Sequence, residues 1–236
     1  MHKQHRKVAM HQSQYLPWPP YFRKMAQADV FILMDSVQYQ KNGVQNRNQI
    51  HSANGPLWLT IPIGGSLEQN ICSKVPANEQ WRKKHIQSIR SSYAKTRFFS
   101  VHFDAISDLI QNAGPDLHSI NMAMIMYFRA VLGISNELRL LSELAVHSKK
   151  NQLVLDSCNA VGADYYISGS GALEYMNISS FQNAGIQLEV LKNDVPLYPQ
   201  YHQPAVTGLS MLDWLMQDDI DVIRQYLNKP MELSYD

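Results

Sequence analysis

The stretch KVAMHQSQYLPWPPYFRKMAQADVFILMD, Lys7 to Asp35, decides the fold. Lys7–Met10 and Val30–Met34 are short apolar runs with the branched residues of buried strands. Pro20–Ala28 between them has helix-forming composition with proline in its first turn. Strand, loop, helix and strand, joined by a right-handed crossover, seed a parallel sheet. The loop after the first strand, His11–Pro20, holds Pro17, Pro19 and Pro20. Each proline restricts its own backbone and that of the residue before it, so Tyr15–Tyr21 is stiff before any ligand arrives. Loops at strand ends are where a scaffold presents chemistry.

Downstream, Asp35–Asn48 is polar and without period, and Leu57–Ile63 reads as a strand with Pro62 near an edge or end. From Asn78 the pattern turns helical. Trp81, His85, Ile89 and Tyr93 form one amphipathic face, Phe103 to Ile110 a second, and Leu117 to Val131 a third that stops at Gly133. A helix over Asn151–Val161 ends at Gly162. Asp164–Ile167 is a strand feeding the loop Ser168–Gly171, and Ile186–Leu191 is another strand. Helices over about Ser210–Met216, with Ser210 and Asp213 spaced as a capping box, and Asp219–Leu227 close the chain. The expected fold is therefore α/β: a parallel-sheet core, Rossmann-like or nucleotidylyl-transferase-like, in one domain over 1–236 with a mainly helical block at about 78–133. Ligands of such sheets bind at the carboxyl ends of the strands, where strand order reverses. His11–Pro20 and Ser168–Gly171 are expected to face one crevice there.

Bulk properties narrow the function. The chain has 236 residues and is 45% hydrophobic, enough for a core and a pocket. Its 21 Lys and Arg against 20 Asp and Glu leave a charge of +1, so no global field points to general nucleic-acid binding or an anionic membrane. Cys72 and Cys158 are far apart without metal-ligand spacing, which argues for a reducing compartment and against a structural metal. MHKQHRK is basic, but no apolar stretch follows that is long enough for a signal peptide or membrane span. The expectation is a cytoplasmic protein.

Three groups of residues are candidates for a site. In the first loop, Tyr15, Trp18 and Tyr21 offer flat amphipathic rings for a base or sugar, while His11, Gln14 and Lys24 supply a general base, an amide and a cation. The alternative is that these rings plug the core and the prolines cap a helix. In the second group, Asp35 stands at a strand end and is followed by Gln38, Lys41, Asn46, Arg47 and Asn48. Lys41 and Arg47 are suited to phosphate or carboxylate, Arg bidentately, though a solvated loop would have the same composition. In the third, Ser168 and Gly169 open an SGSG turn that lets a backbone approach phosphate, but it lacks the Walker lysine and GxGxxG spacing, and a plain turn reads as well. Gln200 lies in YPQY, which repeats the flavour of the first loop. His85, on an apolar helical face, reads as core.

HQSQYLPWPPYFRKMAQADVF, DSVQYQKNGVQNRNQI, GPLWLTIPI, WRKKHIQSI, GADYYISG, YPQ and LSMLD resemble, in this order, the WbqC-like protein family. Carried over by motif, the resemblance marks His11, Gln14, Tyr15, Trp18, Tyr21, Lys24, Asp29, Asp35, Gln38, Lys41, Asn46, Arg47, Asn48, Trp58, Ser168, Gly169 and Gln200. The chain departs from the pattern at PWPPYF, where a glycine commonly precedes the tyrosine, and at its LSMLDWLMQDD end. The resemblance implies a place among bacterial O-antigen and surface-polysaccharide genes, where amino sugars receive acyl or aminoacyl groups. The expected activity is a transferase acting on a nucleotide-linked amino sugar, with His11, Asp35 or Lys41 catalytic. No cofactor is identified; ATP or another activated acyl or aminoacyl donor is compatible. Two alternatives stay open. One is an ATP-dependent adenylating enzyme, although the two histidines usual at the helix start of nucleotidylyl transferases are missing from Trp18–Lys24; the other is a non-catalytic sugar-binding or assembly module.

Overall fold

The computed structural model describes residues 5–66, 68–169, 176–192 and 194–230. Five parallel strands form the central sheet: β1 (Lys7–Gln12), β2 (Val30–Met34), β5 (Glu137–Leu140), β6 (Tyr165–Gly169) and β7 (Gln187–Leu191), in the spatial order β5-β2-β1-β6-β7. A two-stranded antiparallel hairpin, β3 (Arg47–Ser52) and β4 (Gly55–Thr60), stands apart from it. The chain runs from β1 through helix α1 (Pro19–Ala26) to β2, out to β5, and then returns to the other side of β1 at β6. Strand order thus reverses between β1 and β6. There the ladder opens: β1 pairs with β2 as far as Gln12–Met34, but with β6 only as far as Ala9–Ile167.

The sheet buries both faces, as a parallel sheet must. Ala9, Phe31, Leu33, Ile167 and Leu191 face one core, with Phe22 and Met25 of α1, Phe128 of α4 (Leu117–Leu132) and Ile223 of α8 (Ile220–Asn228). Val8, Met10, Val30, Ile32 and Tyr166 face the other, with Leu155 and Cys158 of α5 (Lys150–Ala160) and Phe181 of α6 (Ile178–Asn183). The alternation puts His11 on the same side as Ala9, toward α1. The helical block is α2 (Gln80–Tyr93), α3 (Phe99–Asn112) and α4, which ends with Gly133 at a left-handed φ of 73°.

Several sequence expectations are corrected here. Arg47 and Asn48 lie in β3 rather than in a loop, because Asn48, Ile50 and His51 are buried there and the Asn48 amide donates to the Leu16 carbonyl at 2.6 Å. Strand β4 spans Gly55–Thr60 and stops before Pro62. β5 (ELRL) and α6 were not anticipated; each is too short for periodicity to register. Ser210 does cap α7 (Met211–Gln217), accepting from Leu212 N at 3.1 Å. The Asp213 carboxylate does not complete a capping box. It accepts instead from Tyr93 Oη, Tyr198 Oη at 2.6 Å, His51 N at 3.0 Å and Gln217 Nε2 at 2.7 Å. Ser170 and Gly171, the second half of the SGSG turn, lie outside the described residues.

Candidate functional site

At the carboxyl end of β1, beside the point where strand order reverses, stands His11, the fifth residue of β1. Its ring packs on Tyr21 of α1, with centroids 4.9 Å apart, and its Nδ1 is 3.2 Å from the Gln14 amide nitrogen. One turn along the same face of α1, Lys24 is buried and donates to the Met10 carbonyl at 2.7 Å. The proline at the first turn of α1 and the apolar Phe22 and Met25 hold that face against the sheet.

Electrostatics follow from this burial. His11 is half-buried as a residue, and burial of its ring, then the charge of Lys24, hold the imidazole pKa well below the ordinary 6.5; a hydrogen bond to the Gln12 backbone offsets this only in part. Burial brings the Lys24 ammonium down to about 7. Among the described residues no carboxylate pairs with it. Lys74, also buried, shows the contrast: three oxygens, on Gly64, Ser66 and Gln69, surround its ammonium. Three buried polar atoms between Ser13 and Tyr21 have no partner among the described residues: Ser13 Oγ, Gln14 Oε1 and Tyr21 Oη. Buried polar atoms are nearly always paired, so orphans gathered at a strand-order switch are suited to a ligand's polar groups.

The loop is held from behind. Leu16, fully buried, has a left-handed φ of 46°, a strained conformation for a branched residue. Asn48 grips its carbonyl, Met211 N donates to the Pro17 carbonyl at 2.8 Å, and Tyr15 N donates to the Gln45 carbonyl at 3.1 Å. Gln45, which sequence reading passed over, is fully buried: its amide donates to Gln12 Oε1 at 2.8 Å and accepts from Gln40 N at 2.8 Å. It ties the tip of β1 to the Asp35–Asn46 segment. In the sequence it is one more glutamine in an amide-rich run, and nothing local distinguishes it.

The remaining candidates fall into two sets. Asp35 ends β2 as expected, but its carboxylate accepts from Ser142 N at 3.0 Å and Ser142 Oγ at 2.6 Å, holding the turn after β5. Asn46 donates to the Ile61 carbonyl at 2.7 Å, and both side-chain ends of Gln200 bond Val206. Ser168, at the end of β6, is buried and its hydroxyl meets the Gly169 carbonyl at 3.1 Å. Tyr15 and Tyr21 are buried and offer no open ring face; Trp18 is half-buried. Asp29 accepts from Lys7 N at the amino end of the sheet, away from His11. Gln38 bridges to Asn70, and Lys41 is exposed. Arg47 stacks its guanidinium 4.5 Å from the Trp58 ring centre, on the hairpin.

The hairpin and α2 enclose a cleft of about 400 Å³ lined by Trp58, Trp81, Lys84 and His85 among others. A hollow of about 570 Å³ lies at the other end of the molecule, around Asp29, Asn136 and Arg224. The first adjoins the loop that carries His11, because His85 Nδ1 is 3.0 Å from Tyr15 Oη; the second lies by the amino end of the sheet, where Asp29 accepts from Lys7 N and Arg129 donates to the Asn136 carbonyl. His85 is core, as read, with burial lowering its pKa to about 4. Among the described residues no group of three His, Cys, Asp or Glu side chains gathers to hold a metal, and no helix is long and apolar enough to cross a membrane.

A protein of Mycobacterium tuberculosis (strain ATCC 25618 / H37Rv), uncharacterized protein Rv1507c, is 28% identical over 216 residues, which cover 88% of this chain and 93% of that protein. The sequence profile of the WbqC-like protein family matches residues 12–225, from the last residue of β1 into α8. The match begins one residue after His11 and takes in the loop that follows β1, the hairpin and the helical block, and the chain belongs to the WbqC-like protein family.

Proposed function

We propose that this chain is a transferase of bacterial surface-polysaccharide biosynthesis that moves an acyl or aminoacyl group onto the amine of a nucleotide-linked amino sugar. The observation that carries the reading is His11: an imidazole kept neutral by burial and by Lys24, on a half-buried residue at the switch point, with Gln14 on its Nδ1. A neutral imidazole is ready to accept a proton, and a carboxylate committed to two Ser142 donors is not, so His11 rather than Asp35 is the base.

In the step itself the sugar nitrogen bonds to the activated carbonyl carbon, the bond to the donor's leaving group breaks with its electron pair, and the amine proton passes to His11. The Gln14 amide sets which ring nitrogen carries a proton beforehand; with the amide turned, Oε1 takes Nδ1–H and leaves Nε2 free to accept. Protonated His11 beside charged Lys24 is disfavoured, so Lys24 must itself be neutral for the base to work well.

A second reading, ATP-dependent adenylation of the donor by the same protein, is favoured by the sheet order, which numbered within the sheet is the 3-2-1-4-5 of nucleotide-binding α/β folds. Purified protein is incubated with dTDP- or UDP-linked amino sugar and candidate donors, and product is followed by mass; pyrophosphate exchange with ATP and amino acids is followed in parallel. Acylated sugar formed by wild type and not by His11→Ala supports the transferase. Exchange without transfer supports adenylation, and tight sugar binding with neither leaves a binding module.

A further inference from the structure

The hairpin cleft carries chemistry of its own. Trp58 on β4 is 45% exposed, the largest open ring on this face, and its ring is backed by the Arg47 guanidinium. Opposite stands the first turn of α2. Trp81 there lines the cleft, is only 2% exposed, and has an indole N–H with no acceptor in the fold. Arg47 Nε is likewise buried without a partner. Lys84, Asn78 and Gln80 bring exposed polar groups to the lining, which holds no carboxylate; the nearest one, Glu79, is paired with Arg82. His85 is neutral and spent, with Nδ1 on Tyr15 Oη.

An open indole backed by Arg47, an orphaned ring N–H, a lining lysine and no acid form a chemically coherent set. Flat π-surfaces stack bases, Arg backing reinforces the stack, and cations without competing carboxylates hold phosphate. A sugar alone would leave the lysine unused, and a free anion would leave the indole unused. We infer that the cleft between β4 and α2 is a nucleoside-diphosphate site, in which the base stacks on Trp58, an acceptor on the base or ribose meets Trp81 Nε1–H, and the diphosphate lies against Lys84, with Arg47 behind the Trp58 ring. The cleft contacts the catalytic loop through the Tyr15–His85 bond, so its occupancy bears on the wall behind His11. The inference rests on the transferase reading only for what is attached to the nucleotide; the site itself stands on its own residues.

The intact chain is titrated with UDP, dTDP and ADP by calorimetry, with inorganic pyrophosphate and uridine as separate probes. At least one diphosphate is expected to bind at least tenfold more tightly than pyrophosphate or uridine. Trp58→Ala is expected to weaken it at least tenfold, Trp58→Phe to restore most of it, and Lys84→Gln to weaken it severalfold while flattening its salt dependence. His11→Ala is expected to leave it unchanged. Melting curves check that the exposed-site variants fold. No binding by any diphosphate, pyrophosphate binding as tightly as the nucleotides, or Trp58→Ala binding like wild type would each overturn the site. Binding that fails while His11-dependent transfer persists removes the cleft alone; binding that persists without transfer removes the transferase alone.

Discussion

Lys24 Nζ lies 2.7 Å from the carbonyl oxygen of Met10, tying the middle of α1 to the carboxyl end of β1 without a carboxylate to balance the charge. Burial lowers this amine from 10.5 to about 7. The folded state therefore releases the proton at lower pH than the unfolded chain does. Its penalty is fully present below pH 7 and fades as pH rises toward 10.5, so stability from this group increases with pH across that window. Between about pH 7 and 9 the gain is on the order of 2 kcal/mol. Thermal melts of wild type and Lys24→Met from pH 6 to 9 check it: the variant is expected to be the more stable at pH 6, with that advantage shrinking by pH 9.

In the proposed transfer the same ionisation acts on His11. Because neutral Lys24 no longer opposes a proton on His11, transfer is expected to rise with pH through about 7 in wild type. In Lys24→Met that rise should vanish from the kcat profile. A rise of the same midpoint persisting in the variant would assign it to another group.

Gln45 joins Gln12, Gln40 and Tyr15 from a fully buried position. Gln45→Leu leaves the Gln12 amide oxygen and the Gln40 N–H without partners, which costs about 1–3 kcal/mol for each group that stays dry. A fall in Tm of several degrees, with greater loss of transfer than of stability because the His11 loop loosens, is the expected outcome by calorimetric melting and assay.

Asp213 is a fully buried carboxylate that takes four donors from β3, α2, Tyr198 and α7. Asp213→Ala strands the Tyr93 and Tyr198 hydroxyls, whereas His51 N keeps Tyr93 Oη and Gln217 Nε2 keeps the carbonyl of residue 213, and a loss of roughly 3 kcal/mol is expected. Tyr198→Phe removes one donor and should cost about 1 kcal/mol. Chemical denaturation of the two variants distinguishes this anchor from a catalytic acid, since Tyr198→Phe is expected to keep its activity.

The sheet was legible where the chain is apolar and alternating. Lys7–Met10, Val30–Met34 and Ile186–Leu191 each surface as strands within a residue or two, and the α1 crossover between the first two places the switch point. Illegible were the strands whose burial is carried by polar residues. β3 reads as amide-rich loop because Asn48 and His51 are buried by distant partners, Leu16 and Asp213, which no local window contains. For the same reason Asp35 looked like an open carboxylate, whereas Ser142, 107 positions away, takes both of its oxygens. His11 was recognisable as a strand-end imidazole; that burial, and then Lys24, set its charge state needs the three-dimensional packing of α1.

The charge state of His11 is the point on which the mechanism turns, and nitrogen-15 NMR of imidazole-labelled protein titrated through the acid and neutral range reads it directly. The account predicts that His11 titrates well below 6.5, that Lys24→Met moves this midpoint upward, and that a nucleotide-linked amino sugar perturbs its ring nitrogens. A His11 midpoint at the ordinary value, unmoved by Lys24→Met and indifferent to the sugar, would contradict it.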